Sequence, residues 1–387
     1  MKSSMRAPAA TSGRRSPATN GRPAAVPPRW PRNAPPPALV DVRRGLVVES
    51  RHRGAIVQVG ADLTVERALG DPDTVVTLRS AVKPFTLIAL VESGAADAFH
   101  LTLPELAVMA GSHSGEDMHV RTLQAVFRRA SLSQTLLACG NMAPLDALTA
   151  TRLARDGESP GPIRHMCSGF HAASILLSRH AGWPLEDYWR PDHPSQVLAR
   201  EAVARAFSIP TDGLAIAVDA CGLATYAFPL VEVARAYALL ADPAGVAADV
   251  ARRGVAPALT RIRDAMLAAP EMVGGSRDRL DTALAVVGAG RLVVKGGAEG
   301  LRAVALLAGA LGAHAPAAGL ALKIEDGGDQ RGSHVATVEA MRQLGVLDER
   351  ALGQLSAYAH PVMRDPRGEV VGDVVAGFEL APISELA

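Results

Sequence analysis

Strand-like segments lie near both ends of the chain, and segments with helical periodicity fill the middle. Near the start, RGLVVESRHRGAIVQVGAD predicts two strands around a turn at Arg51–Gly54. In the second half, GLAIAVDACG, RLVVKGGAEG and AGLALKIEDGG each carry a short apolar or alternating run that glycine closes. Two groups of strands separated by helices favour a single α/β sandwich.

Helix-like segments account for most of the remaining chain. Apolar residues recur at helical spacing in residues 120–131, 168–180, 196–207 and 229–240. RAVALLAGALG, residues 302–312, and residues 334–345 are also predicted to be helical. Thr102 and Glu105 have the spacing of a capping box, so we expect a helix to begin there and to end near Gly111.

The first 38 residues differ in composition from the rest. They are rich in proline, arginine, serine and alanine and contain no acidic residue, so they can bury too little apolar surface to order themselves. We predict a disordered extension at residues 1–38, followed by one domain at residues 39–387. The extension has neither the apolar centre of a secretory signal nor an apolar run after Arg14-Arg15, which favours a cytoplasmic location.

Composition narrows the class of partner. The formal net charge is +1 and 4% of the residues are aromatic, which suits neither capture of a polyanion nor stacking on nucleic-acid bases. No apolar run is long enough to cross a bilayer. Three scattered cysteines are too few for a disulfide framework. We therefore expect a small-molecule partner, with no nucleic acid and no membrane.

Ser80-Ala81-Val82-Lys83 lies where a short β-branched strand runs into a helix. Residues three apart on a helix project from the same face, and a desolvated lysine amine can activate a serine hydroxyl, which alone is a poor nucleophile. The positive end of the helix also favours an oxyanion nearby. The same spacing fits a serine that caps the helix beside a solvated lysine, so this motif alone leaves both interpretations open.

Two later segments favour the nucleophile. GSHSGE, residues 111–116, adds a cluster of hydroxyls at a helix exit, and Lys295-Gly296-Gly297 provides a lysine at the end of a strand. In this order, the three segments resemble the S-x-x-K, polar-loop and K-T-G elements of penicillin-recognising serine enzymes.

Seven segments taken in order resemble the bacterial asparaginase II family, typified by the inducible asparaginases of rhizobia: VVESRHRGAIV, RSAVKPF, GSHSGE, HMCSGFHAA, VDACGLATYAFPL, EMVGG and VVKGGAEG. The resemblance extends from about residue 40 to the C-terminus. It implies a serine β-lactamase-like α/β sandwich, with a mixed antiparallel sheet flanked by helices. It also implies a homodimeric amidohydrolase that converts L-asparagine to L-aspartate and ammonia.

The same resemblance implies roles for individual residues. Four are expected to be catalytic: Ser80, Lys83, Ser112 and Lys295. Ser80 would attack the side-chain amide while Lys83 or Ser112 passes its proton onward, although the spacing leaves open which serine attacks first. Three further residues are predicted to contact the substrate: Arg79, His171 and Asp219.

A zinc ion is the one cofactor that the resemblance suggests, and no organic cofactor is expected. In the family, two cysteines and a lysine three residues after the first bind zinc. Cys167 and Cys221 match the cysteines, but Phe170 stands at the lysine position and cannot bind a metal. Two thiolates need further ligands, for which the candidates are His171, His165 and Asp219. The alternative is that both cysteines are buried apolar residues.

Two other functions remain open at this point. A β-lactamase or D-alanyl peptidase-like serine hydrolase shares the S-x-x-K chemistry. A non-catalytic asparagine-binding protein on the same fold is the second alternative, because Phe170 hints at altered activity. The other histidines are predicted to be mostly surface or loop residues: His52, His100, His113, His119, His334 and His360.

Overall fold

The computed structural model describes residues 35–246 and 249–383. Most of the predicted extension, residues 1–34, lies outside the described residues. The strands within the described part are β1 (Ala38–Arg44), β2 (Val47–Val59), β3 (Val65–Leu69), β4 (Val75–Thr77), β5 (Ala215–Val218), β6 (Ala224–Pro229), β7 (Leu292–Gly296), β8 (Leu301–Leu306), β9 (Ala318–Ile324), β10 (Val362–Arg364) and β11 (Val370–Ala376).

An antiparallel sheet forms the centre of the fold. Its strand order is β10-β11-β1-β2-β9-β8-β7, with β3 pairing against β2, and a smaller sheet has the order β4-β6-β5. β1 and β11, the first and last of the described strands along the chain, pair directly with each other. Val40 of β1 lies opposite Ala376 of β11. The predicted pattern of strands from both ends of the chain in one α/β sandwich is confirmed.

Helices cover both faces of this sheet. They are α1 (Lys83–Thr86), α2 (Ile88–Glu92), α3 (Ala95–Ala98), α4 (Leu103–Ala110), α5 (Asp117–Arg129), α6 (Ala147–Arg155), α7 (Ser168–Ala181), α8 (Pro194–Phe207), α9 (Leu230–Ala241), α10 (Val250–Ala268), α11 (Pro270–Val273), α12 (Leu280–Val287), α13 (His334–Gln343), α14 (Glu349–Gln354) and α15 (Ser356–Ala359). Short 3-10 turns occur at Arg79–Val82, Gln134–Leu136, Pro162–Arg164 and Thr211–Gly213, and a π turn at Asp329–Ser333. No helix in the described part of the chain is long and apolar enough to span a membrane.

Alternate residues of the central strands enter two different cores. Ala55, Val57 and Val59 of β2 pack into the larger core, which also contains apolar residues of α1, α4, α7, α8, α9 and α10. Ile56 points to the other face, where the smaller core includes residues of α12 and α13. The sheet is therefore apolar on both sides, and its side chains alternate between two helical layers.

Residues 302–312 correct one prediction. Leu301–Leu306 is strand β8, buried along its whole length, and not the start of a helix. A strand covered on both faces is a continuous apolar run, which periodicity cannot distinguish from a buried helix. The turn predicted at Arg51–Gly54 is also wrong, because β2 continues without interruption from Val47 to Val59.

The predicted start of α4 is confirmed. The backbone amide of Thr102 donates to Glu105 Oε2 at 2.8 Å, and the reciprocal capping contact is also present. The helix ends at Ala110, so Gly111 follows it as predicted. This end carries Ser112 into the centre of the molecule, where it is buried.

Phe85 anchors α1 in the larger core. Its fully buried ring meets Phe207 and Tyr237 edge to face, with centroid separations of 5.3 and 5.5 Å. We expect Phe85→Ala to lower the free energy of unfolding by about 3–5 kcal/mol, because it leaves a cavity among these rings. Urea unfolding followed by circular dichroism measures the change. As a control, Leu148→Ala alters an exposed side chain and should change the same quantity by about 0.5 kcal/mol or less. A similar small loss for Phe85→Ala would contradict the packing described.

Candidate active site

Ser80 lies in a strained turn between β4 and α1. Arg79, the residue before it, has a backbone φ of 48°, in the left-handed region that costs a non-glycine residue free energy. The turn Arg79–Val82 leads directly into α1, and the Lys83 amide donates to the Ser80 carbonyl. The Ser80 side chain is half-buried. Its hydroxyl has no hydrogen-bond partner among the described residues, so it is free to meet a ligand.

Lys83 is buried one turn further along the chain. Its side chain is 1% exposed. Nζ donates to the Gly111 carbonyl at 2.8 Å and to Ser112 Oγ at 2.9 Å, and lies 3.3 Å from Cys167 Sγ. The Phe170 ring covers the amine, with its centroid 5.4 Å from Nζ. The residue at the family's lysine position is therefore an apolar cover on Lys83.

Lys295 approaches the same hydroxyl from β7. Its Nζ lies 3.0 Å from Ser112 Oγ and 2.8 Å from the Gly296 carbonyl, and the side chain is fully buried. Burial lowers the pKa of Lys295 to about 7, and the nearby charge of Lys83 acts in the same direction. Near neutral pH this amine can therefore lose its proton far more easily than a lysine in water.

The structure thus brings three of the four predicted catalytic side chains into direct contact. Ser112 Oγ lies between the amines of Lys83 and Lys295, whereas Ser80 has no hydrogen bond to them and lies one turn before Lys83. Close packing sets the position of Ser112. A Cβ on Gly111 would come within 2.6 Å of the Val273 carbonyl, and the Ser112 amide donates to that carbonyl at 2.8 Å.

His113 and His119 correct the prediction of surface histidines. Both side chains are fully buried, and their rings stack with centroids 4.7 Å apart. The amides of Gly115 and Glu116 donate to Nδ1 of His113 and His119 at 3.1 Å. Nε2 of His119 donates to the Glu271 carbonyl. Ser168 Oγ gives its own proton to the Ile163 carbonyl, so Nε2 of His113 donates to that hydroxyl. Both rings are therefore held neutral beneath the Ser112 segment.

Arg79 and Asp219 form an ion pair beside Ser80. Arg79 Nη2 lies 3.0 Å from Asp219 Oδ1, and Arg79 Nη1 lies 4.0 Å from Glu299 Oε1. Asp219 also accepts a hydrogen bond from the Ala220 amide. One cation and two carboxylates are thus present beside the turn that carries Ser80. Glu299 was not found by the sequence interpretation, although it lies in the quoted segment VVKGGAEG.

His171, the third predicted substrate contact, is fully buried. Its Nδ1 lies 2.6 Å from the Tyr188 hydroxyl, and its Nε2 has no partner among the described residues. Burial lowers the pKa of His171 to about 3. The ring is neutral at physiological pH and offers no exposed surface to a substrate in this conformation.

The donors around Cys167 do not fit a zinc ion. Within residues 35–246 and 249–383, no three His, Cys, Asp or Glu side chains are arranged to hold a metal. The neighbouring Cys221 thiol and Lys83 together lower the pKa of Cys167 despite its burial. Phe170 covers the neighbouring amine instead of supplying a ligand. Zinc stays a prediction of the family resemblance.

The buried histidines generate a prediction for stability. Burial lowers the pKa of His113 and His119 below the 6.5 of an unfolded chain. The unfolded state therefore takes up protons first as the pH falls, and the folded state loses stability from pH 6.5 downward. We expect a loss of up to about 1.4 kcal/mol per pH unit for each buried histidine, measured by urea unfolding between pH 7 and 5.

A variant with one histidine fewer tests the assignment. His113→Gln should reduce this pH slope. Phe85→Leu, which destabilises the core without removing a histidine, should keep it. A free energy of unfolding that does not change between pH 7 and 5 in the original protein would contradict the assignment.

Comparison with known proteins extends these observations. The model of the L-asparaginase II family matches residues 40–376. Among solved structures, Mglu in its native form in 4.3 M NaCl is 16% identical, with 78% of this chain and 63% of that chain covered and a TM-score of 0.36. A probable glutaminase from Bacillus subtilis complexed with 6-diazo-5-oxo-L-norleucine is 12% identical, with 76% and 83% covered and a TM-score of 0.37.

The extent of these matches differs. The chain spans 63% and 62% of the lengths of the first two Mglu structures. No curated protein matches it. The family match, in contrast, covers nearly all of the part that the motif resemblance covers. The chain therefore belongs to the L-asparaginase II family.

Proposed function

We propose that this protein hydrolyses L-asparagine to L-aspartate and ammonia at the site formed by Ser80, Lys83, Ser112 and Lys295. The observation that carries the proposal is the Ser112 hydroxyl within 3.0 Å of two buried lysine amines. Such a group can move a proton at neutral pH, as hydrolysis of an amide by serine requires. Membership of the L-asparaginase II family supports the substrate class.

Exposure favours Ser80 as the attacking group and Ser112 as the proton relay. Ser80 is half-buried with a free hydroxyl, whereas Ser112 is buried between two amines. A substrate carbonyl therefore reaches Ser80 more readily. In this mechanism the two hydroxyls come into hydrogen-bond contact when the substrate binds. The Ser80 proton then passes to Ser112, and Ser112 gives its own proton to neutral Lys295.

The remaining steps follow from the same groups. Neutral Lys295 has two N–H donors and one lone pair. One N–H donates to the Gly296 carbonyl, and the lone pair is left to take the proton from Ser112. The proton returns along this path to the leaving nitrogen, so that ammonia departs and an aspartyl ester on Ser80 remains. Water then hydrolyses that ester by the reverse relay.

The charges beside Ser80 suit the two charged ends of a free amino acid. L-asparagine carries an α-carboxylate and an α-ammonium. Arg79 offers a positive charge to the first, and Asp219 offers a negative charge to the second. We propose that the substrate exchanges the Arg79–Asp219 contact for contacts with its own charges. A homodimer and a cytoplasmic location belong to the same proposal.

Substitution of the site residues tests the reaction. Purified protein should release ammonia from L-asparagine, measured with a coupled glutamate dehydrogenase assay. Ser80→Ala should abolish turnover because the nucleophile is lost. Ser112→Ala and Lys295→Met should each lower kcat by about 10²–10⁴-fold because the proton path is broken. Ser178→Ala is the matched control, since Ser178 is a buried serine that donates to its own helix at the Ser174 carbonyl.

Parallel substrates separate the alternatives. Activity of Ser80→Ala near that of the original protein would remove Ser80 from the mechanism. Faster hydrolysis of L-glutamine would change the assigned substrate, and hydrolysis of nitrocefin without ammonia release would favour a β-lactamase. Thermal stabilisation by L-asparagine with no product would instead indicate a binding protein.

The protonation of Lys295 predicts how the rate depends on pH. Its pKa is lowered to about 7, and only the neutral amine accepts a proton. We therefore expect kcat/KM for L-asparagine to rise between pH 6 and 8 and to level off above, measured in a buffer series of constant ionic strength. A kcat/KM that is constant over this range would exclude Lys295 as the acceptor.

A further inference from the structure

The beginning of α12 contacts the backbone of two segments: the loop that carries Ser112 and the end of β7 that carries Lys295. Arg279, directly before the helix, donates from Nη2 to the Ser112 carbonyl at 2.8 Å and from Nη1 to the Gly274 carbonyl at 3.1 Å. Asp281, two residues later, accepts the Gly296 amide at 2.9 Å on Oδ2. The first turn of α12 therefore holds two residues of the site region. Asp281 holds Gly296, the neighbour of Lys295, and Arg279 holds Ser112.

We propose that Arg279 and Asp281 are positioning residues that set the separation of Ser112 and Lys295, and that Asp281 also supplies the negative charge facing Lys295. Neither residue touches the hydroxyl or the amine. They act through the main chain, one on the loop after α4 and the other on the end of β7. The inference deepens the proposed function and rests on it for the part played by Lys295.

β7 needs such a support because it lies at the end of the sheet. Among the described strands it pairs with β8 alone, so its other edge is not fixed by a strand. The Gly296 amide on that strand finds Asp281 as its acceptor. Loss of this acceptor would release the residue that follows Lys295, and with it the position of the amine.

Arg302 of β8 holds Asp281 on the face of the sheet that α12 covers. The two side chains form an ion pair, and each is 5% exposed. Arg302 lies opposite Gly296 in the β7–β8 register, and a Cβ on Gly296 would come within 3.1 Å of its guanidinium. The guanidinium thus takes the space of a side chain at position 296. This buried pair fixes the carboxylate, because breaking it would leave one charge unpaired.

The charges that face Lys295 determine whether neutralising Asp281 raises or lowers the pKa of Lys295. Burial, Lys83 and Arg279 lower the pKa of Lys295, whereas Asp281 and Cys167 raise it. Neutralising Asp281 removes a raising contribution, so Lys295 should lose its proton at lower pH. A residue with a merely structural role would not move this titration.

The pH profile of Asp281→Asn tests the charge. The amide keeps an acceptor for Gly296 and removes the negative charge. We expect the rise of kcat/KM for L-asparagine to shift to lower pH by about one unit. Glu105→Gln is the matched control, since Glu105 is a buried carboxylate paired with Arg129 at the far end of α4, and its profile should keep the original midpoint. An unchanged midpoint in Asp281→Asn would overturn the electrostatic part of the proposal.

If Asp281→Asn fails to fold, Asp281→Asn/Arg302→Gln removes both charges of the pair together and is measured in the same way. Asp281 is among the strongest influences on the pKa of Lys295, and Arg302 is not. The expected displacement of the midpoint therefore has the same direction.

Hydrogen exchange tests the positioning without any need for activity. In Asp281→Ala, the amide of Gly296 should exchange at least about tenfold faster than in the original protein, because it loses its acceptor. Amides of β9 in the middle of the sheet report general destabilisation and serve as the internal reference. Equal acceleration in β7 and β9, or none in β7, would overturn the positioning role. Should the original protein hydrolyse no amide, the proposed function fails, and the exchange result still decides this inference.

Discussion

Two buried amines share one hydroxyl in this protein, and the chemistry of the site depends on that contact. Nζ of Lys83 and Nζ of Lys295 lie 2.9 and 3.0 Å from Ser112 Oγ. Transfer of two ammonium groups from water into the same dry space is costly. The folded chain lessens this cost in one way that the structure makes explicit: burial and the mutual repulsion of the amines lower the pKa of Lys295, so one of the two charges is easily given up near neutral pH. Each amine also donates to a backbone carbonyl.

The geometry of this contact is assembled from segments far apart in the chain. The turn at Arg79–Val82 begins the helix that carries Lys83, the exit from α4 carries Ser112, and β7 carries Lys295. Two local features shape the site: the left-handed backbone of Arg79, which costs free energy, and the close approach of Gly111 to Val273, which only glycine allows. They are held by the two apolar cores on either side of the sheet, by the stacked neutral histidines, and by the first turn of α12.

The sequence named the candidate groups of the proposed site but not the residues that support them. Ser80, Lys83, Ser112 and Lys295 could be named because the segments that carry them, taken in order, resemble the asparaginase II family. His113 and His119 were expected near the surface, because the sequence does not show which backbone groups will hydrogen-bond to a histidine ring and allow it to be buried. Arg279 and Asp281 were missed for the same reason, because they act on main-chain atoms distant in sequence. The interpretation of residues 302–312 as a helix failed where burial on both faces removes periodicity. α5, which has one exposed face, and α4, whose start carries a capping box, were predicted more closely.

The pairing of β1 with β11 has a consequence for synthesis of the chain. Arg43 and Asp373 form an ion pair across these strands although 330 residues separate them. β1 therefore leaves the ribosome long before the strand that completes its hydrogen bonding exists. During translation its outer edge is unpaired, and closure of the sheet waits for the last tenth of the chain. Contacts of such long sequence separation slow folding and leave strand edges open to other chains. The edge of β1 is therefore open to other chains until β11 has been made.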